Sequence, residues 1–124
     1  MRVPFEYAVI RVVPRVERGE FVNAGVIVYC PEHAYLRAAV HLDEARLRAL
    51  DPDAPVADVH AALAALAGTC DGEDGPAAAD RIGQRFRWLT APRSTVVQPG
   101  PVHTGLTAGP DVETDRLLRT LVLR

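Results

Sequence analysis

Two stretches decide the fold: Phe5-Glu6-Tyr7-Ala8-Val9-Ile10-Arg11-Val12-Val13 and Phe21-Val22-Asn23-Ala24-Gly25-Val26-Ile27-Val28-Tyr29-Cys30. Both are rich in β-branched and aromatic residues, which suit a pleated, half-buried surface. Between them runs Pro14-Arg15-Val16-Glu17-Arg18-Gly19-Glu20, with Pro and Gly to turn the chain. The pair therefore predicts two antiparallel strands. By the two-residue period, Val22, Ala24, Val26, Val28 and Cys30 share a wholly apolar face that must be buried. Phe21, Asn23, Gly25, Ile27 and Tyr29 take the other face, which is also mostly covered. Pairing symmetric about Glu17 sets Arg11 opposite Asn23 and Val9 opposite Gly25.

Outward from this hairpin, residues 35–41 read as a third strand, nearer an edge. The period then changes. A short helix is expected over Asp43–Leu50, ended by Asp51-Pro52. A longer one starts near Asp53-Ala54-Pro55, with Val56, Val59, Leu63 and Leu66 as its stripe and Gly68 as its stop. A third helix follows Pro76, burying Ala79, Ile82, Phe86 and Leu89. Pro99, Pro101 and Pro110 limit residues 94–110 to a short strand and an ordered loop. Asp111 opens a last helix, with Val112, Leu118, Leu121 and Val122 as its apolar positions. No internal repeat is present. Residues 1–124 thus read as a single α+β domain, a small, mainly antiparallel sheet with three to four helices packed against it.

Composition excludes several classes. The chain has 124 residues, 48% of them apolar, and a net charge of -2. That is too apolar and too weakly charged for a disordered segment, and it lacks the basic field of a generic nucleic-acid binder. All 14 basic residues are Arg, which matches codon bias in a high-GC bacterium. Cys30 and Cys70 are too few for a disulfide framework. The N-terminal segment is broken by Glu6 and Arg11 and has no signal-peptide core. No stretch is long enough to span a membrane. A cytoplasmic location is expected.

The residues that carry chemistry are polar ones where apolar ones belong. Arg11 interrupts the row Phe5, Tyr7, Val9, Val13, and a buried guanidinium needs a carboxylate or carbonyls. Glu20 and Glu6 are the candidates. Arg11, Glu20 and Asn23 form either a network that fixes hairpin register or the floor of a pocket. Gly25 permits a twist or the close approach of another group. Arg93-Ser94-Thr95 with His103-Thr104-Gly105 combine an Arg, hydroxyls and backbone amides that suit a phosphate or carboxylate. Equally, they are side chains satisfying their own turns. Arg81, Arg85 and Trp88 share a helical face that suits RNA or an acidic partner, or is simply solvated. For metal, Cys30 and His33 are a lone close pair without the second cluster that zinc requires. No Gly-rich loop ending in Lys and no Gly-x-Ser-x-Gly elbow is present. No catalytic residue, metal or cofactor is assigned.

The segments Tyr7-Ala8-Val9-Ile10-Arg11 and Arg18-Gly19-Glu20-Phe21-Val22-Asn23-Ala24-Gly25-Val26, with the spacing to Arg93-Ser94, resemble family 3037 of the domains of unknown function. The family consists of short bacterial proteins, and the resemblance spans most of the chain. It implies no established activity. Members are often encoded beside proteins that look like HipA-type kinases, so it implies a HipA-like kinase as protein partner.

Two functions follow as expectations. In the first, the chain is a non-catalytic accessory module that binds a protein partner through an apolar patch or a free sheet edge. In the second, Arg11, Glu20, Asn23, Arg93, Ser94 and His103 converge on one cleft, which binds or transforms an anionic small molecule. An unprotected sheet edge also suits a homodimer.

Overall fold

Alternation along the second strand breaks at Ala24, and the two faces of the sheet are set by that break. In the computed structural model, which describes residues 1–73 and 81–124, β1 (Val3–Val12) and β2 (Val22–Cys30) pair antiparallel. Arg11 faces Asn23, as the symmetric pairing requires, but Ile10 rather than Val9 faces Gly25, and Val9 faces Val26. Ala24 is the extra residue of a β-bulge. One extra residue exchanges the faces of everything beyond it. Val22 and Ala24 accordingly pack with Ile27 and Tyr29, while Asn23 shares its face with Val26, Val28 and Cys30. The single apolar face predicted for Val22 through Cys30 is therefore divided between two cores.

A single 3-10 turn, Pro31–His33, leads into β3 (Tyr35–Val40), which pairs with β2. The proline-rich segment supplies two strands rather than one. β4 (Val97–Pro99) pairs with Ile10–Val12, and β5 (His103–Thr107) pairs with Val3–Tyr7 along the same side of β1. Proline is tolerated there because these are edge strands, with backbone N–H groups to spare. All pairs are antiparallel, and the order is β3-β2-β1-β4 with β5 beside β1.

Four α-helices are present among the described residues. α1 (Glu44–Leu50) is capped by Asp43, whose side chain accepts from the Arg46 N–H at 3.1 Å. α2 (Val56–Cys70) runs through Gly68 instead of stopping there. Gly68, Thr69 and Cys70 are all buried, so packing offsets the weak helical propensity of glycine. α3 (Ile82–Thr90) buries Phe86 and Leu89, whereas Ala79 lies outside the described residues. α4 (Pro110–Leu121) starts one residue before the predicted Asp111. Its inner stripe is Pro110, Thr114 and Leu117, so Val112 stands 67% exposed. The Thr114 hydroxyl bonds the Pro110 carbonyl and the Tyr35 hydroxyl, and so a polar residue occupies a core position.

The sheet has helices on both sides. On one, Leu47, Val59, Leu63, Cys70, Phe86 and Leu89 of α1–α3 pack on Ile10, Val12, Ala24, Ile27 and Leu36. On the other, Leu117 and Val122 meet Val3, Phe5, Val26, Val28 and Cys30. Arg46 of α1 ties the chain end down by donating to the Val122 and Arg124 carbonyls. No helix among the described residues is long and apolar enough to cross a membrane.

Two outcomes follow. A Cβ on Gly25 would stand 2.6 Å from the Ala39 carbonyl oxygen and 3.0 Å from Ile10 Cδ1. Gly25→Ala should cost about 2–3 kcal/mol through overpacking, read as a lower denaturant midpoint at unchanged slope. Burial pushes the Cys70 thiol from its ordinary 9.0 up to about 12. The unfolded chain then sheds this proton before the folded one, so stability should fall from pH 9.0 towards about 12. Denaturant melts across that interval, less pH-sensitive in Cys70→Ala, check the sign.

Candidate functional site

β1 presents Val3, Phe5, Tyr7, Val9 and Arg11 to the α4 side of the sheet. Val3 and Phe5 are buried, while Tyr7, Val9 and Arg11 keep partial exposure. Arg11 is the polar end of this row. Its guanidinium lies over the ring of Phe21, 4.2 Å from the centroid. It also lies close to the backbone of Gly100, where a Cβ would come within 3.1 Å of Nε and 3.2 Å of Cζ. Arg11 Nε is buried and has no hydrogen-bond partner.

The carboxylates expected to serve Arg11 are engaged elsewhere. Glu20 pairs with Arg18 at 2.6 Å, and that hydrogen bond and charge hold its carboxyl below the usual value. Glu6 projects to the opposite side of β1 and receives both terminal nitrogens of Arg87 at 2.9 Å each. Asn23 does stand beside Arg11, but its amide donates to the Leu121 carbonyl at 3.1 Å, fastening the last turn of α4 to β2. Gly25 is buried at the bulge and contributes shape alone.

His103 is opposite Tyr7 in the β1–β5 pairing, and the two rings meet at a tilt of 33° with centroids 5.2 Å apart. It therefore shares the face of Arg11, roughly 13 Å along the strand by the residue rise. Thr104 is the next residue of β5 and points to the other face, opposite Glu6. The Arg93 segment lies on that other face too. Arg93 stacks on Trp88 at 5.0 Å and donates to the carbonyls of Trp88 and Ala91. Ser94 is exposed, and the Thr95 hydroxyl bonds the Val97 carbonyl within its own turn. The structure thus brings Arg11, Asn23 and His103 onto one face and leaves Glu20, Arg93, Ser94 and Thr104 apart from them.

The α1–α3 side carries a groove of about 540 Å³ between α2, α3 and β4. Ala62, Ala65 and Leu66 line one wall, Trp88 and Leu89 the other, and Val97 the floor, with Asp58 and Arg93 also at the groove. Trp88 is 41% exposed there. The helical face of Arg81, Arg85 and Trp88 is not a free cationic stripe, because Arg85 donates to the Cys70 carbonyl at 3.2 Å. Sequence reasoning missed this groove because Ala62 and Ala65 sit in an alanine-rich run that reads as composition. Phe21 and Gly100 were missed as neighbours of Arg11 because only pairing brings them together. Among the described residues no group of three or more His, Cys, Asp and Glu is arranged to hold a metal ion.

Residues 7–122 match the family described as "Protein of unknown function (DUF3037)". No curated protein and no solved structure matches the chain.

Asn23 is the polar residue of this face with a plain structural task. Asn23→Ala should lower stability by about 1 kcal/mol, the worth of one hydrogen bond. Amide exchange should quicken selectively in the last turn of α4.

Proposed function

The chain belongs to the DUF3037 family, and we propose that it works as a non-catalytic binding module that receives an amphipathic helix of a protein partner. The observation that carries this is the α2–α3–β4 groove. Its walls are mostly apolar, with Ala62, Ala65 and Leu66 facing Trp88 and Leu89, the character that helix-in-groove recognition uses. Small residues on α2 leave room for a docked side chain, and Trp88 offers a large, partly exposed aromatic surface of the kind that dominates binding energy. Exposed aromatic surface of this kind is a cost that an interaction repays.

The rim gives the partner's chemistry. Asp58 and Arg93 carry opposite charges at the groove, and neither forms an ion pair with another described residue. A partner helix with an apolar face and flanking charges of both signs would complement them, fixing its direction more than its affinity. Arg93 is held ready by its stack on Trp88. A HipA-like kinase is the first partner to test, and catalysis then resides in that partner.

Affinity capture of the tagged chain at native expression level, with stoichiometry read by mass spectrometry, tests this. One partner at near-equal stoichiometry is expected, weakened about thirtyfold by Trp88→Ala, as for an aromatic hot spot. Leu66→Arg should abolish capture, and Arg11→Gln should leave it intact. Failure to capture any partner, or capture indifferent to both groove substitutions, would overturn the proposal.

A further inference from the structure

Arg11 is held where a guanidinium is costly, and none of its cost is met by an acid. Among the described residues it makes no hydrogen bond and no ion pair, only the contact with Phe21. The two carboxylates that the sequence offered it are committed elsewhere, Glu20 to Arg18 and Glu6 to Arg87. Its Nε is covered, whereas its terminal nitrogens, equally without partners, are not enclosed. Packing against Phe21 and Gly100 fixes the plane of the group. An unneutralised guanidinium packed between Phe21 and Gly100, with terminal nitrogens that are not enclosed, suits an oxyanion, since packing leaves less rotamer freedom to lose.

The surroundings say what the oxyanion is attached to. From Arg11 the same face of β1 continues through Val9 to Tyr7, whose ring meets that of exposed His103. The strip is cationic at one end, apolar in the middle and aromatic at the other. We propose that it binds an oxyanion, carboxylate or phosphate, carried on a flat apolar or aromatic body. Arg11 takes the anion, the body lies over Val9, and Tyr7 with His103 meets its far end. Glu20 and Arg93 have no part in this site. The site lies across the sheet from the α2–α3 groove and does not depend on a partner docking there.

Phenylphosphate, benzoate and inorganic phosphate are the probes, titrated into the labelled chain and followed by the amide resonances. Phenylphosphate or benzoate should shift Val9, Arg11, Asn23 and Gly100 saturably, and the tighter of the two identifies the anion. Inorganic phosphate should move the same amides more weakly, because it lacks the body. Binding as tight as phenylphosphate would remove the apolar half of the proposal. Arg11→Gln should abolish saturation, and Arg11→Lys should weaken it about tenfold, since an ammonium lacks the planar fork. Should Arg11→Gln fail to fold, Gly100→Ala keeps the charge, displaces the guanidinium and should weaken binding about tenfold through lost positioning. His103→Ala should weaken phenylphosphate but not inorganic phosphate. Shifts that never saturate, or that ignore both Arg11→Lys and Gly100→Ala, would overturn the proposal and leave Arg11 a packing residue.

Discussion

One extra residue in β2 governs the molecule. Without Ala24 as a bulge, Val22 through Cys30 would alternate cleanly and one face would hold every valine of the strand. The other face would then hold Asn23 among Ile27 and Tyr29, an amide set in a core with no acceptor in reach. With the bulge, Asn23 turns to the α4 side and finds the Leu121 carbonyl, while Ala24 fills the opposite core. The bulge requires Gly25, since the Ala39 carbonyl and Ile10 occupy the space of a Cβ. Asn23, Ala24 and Gly25 therefore act as one device. Asn supplies the anchor, Ala the inserted residue, and Gly the clearance. Those three residues are also the centre of the motif by which the chain resembles its family, so the motif is explained by folding before any ligand is invoked.

The use of arginine as the sole strong cation shapes the surface in a second way. A guanidinium has five donors and is satisfied by carbonyls as readily as by acids. Arg46 thus closes the chain end onto α1, and Arg85 caps the carbonyl of Cys70. Arg87 forks onto Glu6 and couples α3 to β1. Each of these reads from the sequence as a free positive charge, and each is structural. Exposed pairs of this kind contribute little individually. Their importance here is in what they connect, and among the described residues neither Arg11 nor Arg93 forms an ion pair with an acid.

The fold was legible where the signal is local. Strand propensity and period marked β1, β2 and β3, and the symmetric turn set Arg11 against Asn23 correctly. The helical stripe of α2 held at Val59 and Leu63. What failed depends on distant partners. Gly68 is a stop signal by propensity, but tertiary packing carries α2 to Cys70. Along α4, Leu118, Leu121 and Val122 pack as read, but Val112 is exposed and Thr114, bonded to Tyr35, takes the inner position, which no periodicity reveals. The prolines of residues 94–110 left one short strand where there are two, because they matter only in a central strand. For the candidate residues, pattern found the polar interruption at Arg11 but not its surroundings. Glu20 was read as the acid for Arg11, but it lies two residues from Arg18, and the local pair prevailed.

The two faces therefore separate what the sequence had joined. A single cleft holding Arg11, Arg93 and His103 would require side chains from opposite sides of one sheet to meet. The inserted residue lies in β2 and not in β1, so Tyr7 and Arg11 stay on one side with His103, while Arg93 rests on Trp88 on the other. A catalytic arrangement needs its base and its anion holder within hydrogen-bond reach of one reacting atom. Arg11 and His103, roughly 13 Å apart by strand rise, fall well outside that reach, though two ends of one bound molecule can span it. The geometry of the α4 side thus favours holding over transforming. The groove on the other side is lined mostly by apolar side chains, with Asp58 and Arg93 as its charged members, so it too lacks a base set against an anion holder.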